Sequence, residues 1–245
     1  MDNLREHQIV SAEALKILKS ICDDNNIRYF LLAGTCLGAV RHKGFIPWDD
    51  DIDIGILNED YDRLDHILAV EIKKPYSWIS NTTDINYPRL FGKIIHNGVA
   101  CIDLFRIIQL PKDNKKVNKI WFARRLWLKI YYRKCNREFE DESLVFRILS
   151  KLLSFLFSRE TIVRMCRKNE DRYDGGGDYL NLYSIYGLEK EKIKREWIDF
   201  PSTVEFEGEM YRTVGDTDAY LTHLYGDYMT LPPEKDRVHS HDAKF

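Results

Sequence analysis

The sequence predicts an α+β (α/β) domain: a mixed sheet laid down in the first hundred residues, followed by a helical segment and a mixed C-terminal stretch. Three observations predict it. Apolar residues recur at helical spacing up to residue 25 and then give way to strand-like runs. Those runs are short and are divided by turn-forming residues. From 115 to 137 the composition changes to Lys, Arg and aromatic side chains with no Asp or Glu at all.

The elements follow in order. Ile9, Ala14, Ile17, Leu18, Ile21 and Cys22 place a helix over 3–25, ended by Asp23-Asp24-Asn25-Asn26. Residues 27–33, IRYFLLA, are nearly all apolar, as a strand buried on both faces requires. Gly34-Thr35 opens a short segment that Lys43-Gly44 and Pro47 break. Residues 52–57, IDIGIL, alternate as a strand. Asn58 is placed as the N-cap of a helix to about Val70, with Glu59 and Asp60 in its first turn. Strands are expected at 76–80, 89–95 and 99–108, with His96-Asn97-Gly98 as a hairpin turn because Asn-Gly accepts positive φ. Helices follow within 115–137 and 147–159, in a bundle ending near Asp174. Gly175-Gly176-Gly177 reads as a flexible break. FEGEMYRTV reads as a hairpin, 216–225 as a helix, and YGDYMTLPPEKDRVHSHD as the tail. The expected organisation is one catalytic domain over 1–245: a core at 1–110, a helical subdomain at about 115–174, and a C-terminal completion at 178–245.

Bulk properties set the first limits. The chain has 245 residues, 44% hydrophobic and 31% charged, with a net charge of -2. That composition suits a folded globular chain and gives no reason to expect nucleic acid as a partner. The opening MDNLREHQIVSAEALKILK is charged throughout, unlike a signal peptide, and no apolar run approaches the ~20 residues of a membrane span. Five cysteines without a CxxC pair read as reduced thiols, so the expected location is cytoplasmic.

The acidic run carries the chemistry. Asp49, Asp50, Asp51 and Asp53 fall within five positions. Strand parity puts Asp51 and Asp53 on one face, with Ile52, Ile54 and Ile56 turned to the core. Two carboxylates fixed side by side repel and raise one another's pKa, and a divalent cation relieves that repulsion. An all-oxygen site suits Mg²⁺ or Mn²⁺. Three alternatives compete. A solvated acidic turn fits an isolated run, but the flanking isoleucines tie these aspartates to a buried strand. An EF-hand loop needs Gly at its sixth position, where Ile54 stands. Capping of the next helix already falls to Asn58. Asp103, within the apolar ACIDLF, is costly to bury unless paired or metal-bound. Its partner is then a metal ion or a cation such as Arg106 or Lys93. Gly34-Thr35, at a strand-to-helix turn, can hold phosphate oxygens through backbone N–H groups and a hydroxyl, or be an ordinary turn with a Thr cap.

Strand–Gly-Thr–helix, a strand with Asp-x-Asp and a later strand with Asp together resemble the nucleotidyltransferase fold of the polymerase-β type. AGTCLGAVRHKGFIPWDDDIDIGI (33–56) is similar to the signature of the LicD phosphotransferases, a family that includes the fukutin-type proteins. The resemblance extends over 4–32, IDLF at 102–105 and YGDYMTLPPEKDR at 225–237, and is weak from about 112 to 200. Cys36 departs from the aliphatic residue common at its position, and no cysteine cluster matches the zinc site expected of some fukutin-type relatives. The resemblance implies transfer of a phospho-alcohol from its CDP-activated form to a sugar hydroxyl of a cell-surface glycan precursor such as lipopolysaccharide, teichoic acid or capsule. CDP-choline is the expected donor.

The expected roles are these. Asp51, Asp53 and Asp103 hold the metal, and Asp103 also accepts the acceptor's proton. Gly34 and Thr35 hold phosphate, and Arg41, His42 and Lys43 neutralise the leaving CMP, with Lys93 a further candidate. If the donor is CDP-choline, Trp48, with Tyr225 or Tyr228, is the candidate to face its quaternary ammonium, core packing being the alternative for each. Arg237 contacts phosphate; Glu234, His239 and His241 lie close to it in the tail. Asp49 and Asp50 are left as supporting loop residues. The stretch 115–137 is a surface helix pairing with other helices, or a peripheral contact with anionic membrane, where a lipid-linked glycan acceptor would lie. The competing functions are transfer of NMP to a small molecule on the same fold, and an inactive glycan- or nucleotide-binding module.

Overall fold

The structure, a computed structural model, describes residues 2–135, 144–170, 175–181 and 187–237. The tail histidines His239 and His241, Asp174 and most of NLYSIYG lie outside the described residues. Helix α1 (Asp2–Asp24) leads into β1 (Tyr29–Leu31), then α2 (Ala33–His42), β2 (Ile52–Leu57) and α3 (Asn58–Glu71). Strands β3 (Tyr76–Ile79), β4 (Gly92–His96) and the long β5 (Val99–Pro111) follow. Three helices come next: α4 (Asn114–Lys134), α5 (Leu144–Leu156) and α6 (Arg159–Glu170). The chain returns through β6 (Gly176–Asn181), α7 (Leu188–Glu191), β7 (Lys192–Ile193), α8 (Arg195–Asp199), the β8 (Ser202–Phe206) and β9 (Glu209–Thr213) hairpin, and α9 (Thr217–Tyr225).

Among the described residues the strands form one mixed sheet of nine, in the order β3-β4-β5-β2-β1-β9-β8, with β6 and then β7 added beside the far half of β5. The α+β reading therefore holds, with an N-terminal helix ahead of the first strand. The sheet is central because its strands carry apolar side chains on both faces. Ile52, Ile54 and Ile56 of β2 are fully buried, which stabilises the strand by about 1.5–3 kcal/mol per side chain. Leu15 and Leu18 of α1 and Leu64 and Leu68 of α3 join the same core.

The pairing of β2 with β5 positions the site. The two strands run parallel, and their register sets Asp53 opposite Asp103. On the other side of β2, β1 pairs antiparallel, with Leu31 opposite Ile54.

Two local expectations are corrected. Asn58 does not cap α3: Leu57 is the cap position, and the Asn58 Oδ1 accepts a hydrogen bond of 2.8 Å from Arg106 instead. A buried guanidinium needs acceptors more than a helix end at the surface does. The triple glycine is not a flexible break. Gly175 and Gly176 have φ of 65° and 92°, which glycine tolerates. Gly177 lies so close to β5 that a Cβ there would sit 2.8 Å from the Leu110 carbonyl oxygen. The glycines bring the chain against β5 and start β6. Asn97 and Gly98 have positive φ, as a hairpin at that turn requires.

Candidate active site

The site is built where β2 begins. β1 ends at Leu31, and α2 starts two residues later at Ala33, whose backbone N–H donates to the Tyr220 hydroxyl at 3.1 Å. Leu32 N–H donates to the Asp53 carbonyl at 3.0 Å, and Asp53 N–H donates to Thr35 Oγ at 2.8 Å. Both backbone groups of Asp53 are thus clamped by the β1–α2 turn. Thr35 is buried, and its hydroxyl oxygen serves first to fix Asp53. Gly34 lies beside the acidic loop: a Cβ on it would stand 3.0 Å from Asp49 Oδ2. Its missing side chain makes room for that carboxylate.

The acidic loop is gripped from α1. Gln8 Nε2 donates to the Asp49 carbonyl at 2.8 Å, and the His7 ring nitrogen lies 2.8 Å from the Asp50 carbonyl. Sequence reasoning missed both residues. Their signal was faint: a buried Gln and a His amid an otherwise ordinary amphipathic helix.

Carboxylate oxygens of Asp51, Asp53 and Asp103 come within 4.8 Å of one another, and so do those of Asp49, Asp50 and Asp51. Asp103 is buried, and Lys93, equally buried, forms an ion pair with it. Lys93 stands directly across from Asp103 in the β4–β5 register. Arg106, the other cation considered as a partner for Asp103, turns away to Asp62 at 2.5 Å and lies over the Tyr61 ring.

The electrostatics are those of a cluster short of positive charge. Burial, then the charges of Asp51, Asp103 and Asp49, push the Asp53 carboxyl well above the usual range, and Lys93 only partly offsets this. Burial, with Asp51 and Asp50 beside it, pushes Asp49 up to about 7. One oxygen of Asp50, Oδ1, is buried with no hydrogen-bond partner among the described residues. Excess negative charge and an orphaned carboxylate oxygen are what a divalent cation bound by oxygen ligands would relieve. The residues present fit such an ion.

A stability prediction follows from Asp49. A carboxyl with a raised folded pKa binds its proton more tightly in the folded protein, so this contribution is fully present below about 3.8 and is lost as pH rises toward about 7. In EDTA, the melting temperature should fall across that window, and Asp49→Asn should flatten the fall. An unchanged slope in the variant would remove Asp49 as its source.

The predicted basic and aromatic residues gather beside the acidic loop, with one outlier. Arg41 donates to the Tyr228 carbonyl at 2.7 Å and to His42 Nε2 at 3.0 Å. His42 Nε2 is therefore the acceptor of a neutral ring, consistent with burial and Arg41 pushing its pKa down. Burial, then Arg237, push Arg41 down as well. Arg237 lies over the Trp48 ring, 5.6 Å from its centre, and its Nε donates to the Pro232 carbonyl at 2.8 Å. The tail thus folds back onto α2 and the loop before Asp49. Lys43 is the outlier: it is exposed, caps α2 with φ of 61°, and its carbonyl accepts from Glu207 N–H. Tyr228 is buried, with its hydroxyl donating to Asp218 at 2.7 Å.

The profile of the family described as "LicD/FKTN/FKRP, nucleotidyltransferase domain" matches residues 26–141. The chain is 30% identical to the lipopolysaccharide cholinephosphotransferase LicD of Haemophilus influenzae over 97% of this chain and 96% of that protein. It is 36% identical to human ribitol 5-phosphate transferase FKRP over 24% of this chain and 12% of that protein. It is also 30% identical to mouse ribitol-5-phosphate transferase FKTN over 31% of this chain and 17% of that protein. With one relative aligned along nearly its whole length and the acidic site inside the matched domain, the chain belongs to the LicD/FKTN/FKRP family.

Proposed function

We propose that this protein transfers a phospho-alcohol, with phosphocholine from CDP-choline as the leading donor, to a sugar hydroxyl of a cell-surface glycan precursor. Its family makes it a LicD-type phosphotransferase; the donor, the acceptor and the metal are our reading. The observation that carries it is the parallel register that sets Asp53 beside Asp103, with Asp51 within reach of both. Relatives named for moving phosphocholine and ribitol phosphate support the reaction class.

Asp51, Asp53 and Asp103 would hold Mg²⁺ or Mn²⁺, which supplies charge neutralisation for reaction at phosphorus. The remaining work falls to this chain's own groups. The N-terminal turn of α2, at Gly34, lies beside the acidic loop, and its backbone N–H groups can take a phosphate oxygen. Arg41 and Arg237 supply fixed positive charge for the departing CMP, and neutral His42 can donate from Nδ1. Asp103 serves as a ligand; to take the acceptor's proton as well, it would have to give up Lys93. Lys43 is left outside the site.

The test is a screen of CDP-choline, CDP-glycerol and CDP-ribitol for CMP release that requires Mg²⁺, with the acceptor weighed by mass spectrometry. Addition of NMP rather than a phospho-alcohol would overturn the reading in favour of a nucleotidyltransferase. No transfer from any donor would favour a binding module. Trp48 gives a sharper check. If its ring faces choline, Trp48→Ala raises the KM for CDP-choline by roughly 2- to 30-fold and spares CDP-glycerol. An equal rise for both donors would mean that Trp48 acts by holding Arg237.

A further inference from the structure

We propose that α5 is an interfacial helix that docks the protein on an anionic lipid surface. Its apolar residues are divided between two faces. Toward the protein, Leu153 packs against the cluster of Ile130 and Tyr131 beside the buried Ser150 and Ser154, and Ser150 Oγ accepts from Arg133 Nε of α4 at 2.6 Å. The face turned outward is large and apolar. Ile148, Leu149, Leu152, Phe155 and Leu156 are between 43% and 86% exposed. Their spacing is the stripe by which a helix ordinarily buries itself in a core. A soluble monomer seldom exposes so continuous an apolar strip, and here it follows one helix.

Charge selects the occupant. From Leu144 to Arg159 the chain carries Arg147, Lys151 and Arg159 and no acidic residue, and Arg147 and Lys151 are exposed among the apolar side chains. Lys115, Lys116, Lys119 and Arg125 are exposed on α4. Large apolar side chains set among Lys and Arg are the composition of a helix lying in an anionic membrane interface. Glu138, Glu140, Asp141 and Glu142 precede α5 in the chain and Glu160 follows Arg159, so the basic character belongs to the helix itself and to α4. No described helix is long and apolar enough to cross a membrane, which leaves surface attachment as the mode for α5.

Within 115–137, Tyr131 is fully buried and Trp127 stacks edge-on against Phe157 at 5.8 Å, while Phe122 is 63% exposed, so α4 adds exposed basic side chains and one aromatic to the larger apolar surface of α5. The inference does not depend on the donor or acceptor assigned above.

The experiment floats the full chain with vesicles of phosphatidylcholine alone and of phosphatidylcholine mixed with phosphatidylglycerol. Binding to the anionic vesicles is expected, weakening with salt. The double variant Leu152→Glu, Phe155→Glu should lose it by about tenfold or more, with its thermal melt unchanged because both side chains are exposed. The charge variant Lys151→Glu should weaken binding to anionic vesicles only, and gives a second reading should the double variant fold poorly. Failure of the native chain to float with anionic vesicles would overturn the proposal. So would equal flotation of native and variant chains, or a native dimer that the double variant turns into a monomer while vesicle binding is absent.

Discussion

Asp53→Asn should abolish turnover, by at least about a thousandfold, while raising the melting temperature of the metal-free protein at pH 8. The two effects have one cause. The Asp53 carboxyl is buried and faces Asp51, Asp103 and Asp49, so its charge is opposed by everything near it except Lys93. Asparagine keeps the shape and both clamped backbone groups, the N–H to Thr35 and the carbonyl from Leu32. What it removes is one negative charge. Without metal, that removal relieves repulsion and stabilises the fold. With a divalent cation required, it takes away a ligand and much of the field that holds the ion. A purely structural Asp53, held mainly by Lys93, predicts the reverse in stability: the variant would melt lower. Turnover within about tenfold of the native chain would remove Asp53 from the reacting centre, and a lower melting temperature in EDTA would show it to be a pairing partner.

How much of this was legible in the sequence follows from where the information is stored. Side-chain parity is a local property, so Asp51 and Asp53 separate from their neighbours by reading IDIGIL alone. The turn at Asn97-Gly98 is equally local. The closure of the site on Asp103 is not. It depends on a parallel pairing across some fifty residues, which an Asp in an apolar strand can suggest but no short-range rule can place in register. The grip of His7 and Gln8 on the acidic loop depends on how α1 crosses the sheet, which one helix's periodicity does not encode. Asn58 departs from expectation for a related reason: its capping propensity is real, yet a buried guanidinium 48 positions away takes its side chain instead. In α5 the period was visible, but the direction of the stripe was not. An apolar stripe is ordinarily assigned to the core, and only the burial of Ser150 and Ser154, with Ser150 bonded to Arg133 of α4, reveals that most of this one points outward.

Lys93→Met should lower the melting temperature of the metal-free protein by roughly 6–20 °C, and Mg²⁺ should return much of that loss. Lys93 and Asp103 side chains are only 10% and 8% exposed. Removing one partner of a buried pair costs about 3–5 kcal/mol, and each kcal/mol moves the melting point of a chain this long by about 2–4 °C. Here the cost is compounded, because the ammonium also offsets Asp53. Lys93 thus acts as a resident counter-ion for a carboxylate cluster that would otherwise repel itself. A divalent cation in the same cluster supplies the missing positive charge, so the variant should gain more melting temperature from Mg²⁺ than the native chain does. Asp103→Asn provides the contrast. It leaves the ammonium beside a weaker acceptor and removes a proposed ligand, so its loss of stability should not be returned by Mg²⁺. If Lys93→Met melts as the native chain does, the pair carries no stability. If its loss is untouched by Mg²⁺ at any concentration, the three carboxylates do not share an ion, and the metal assignment fails with them.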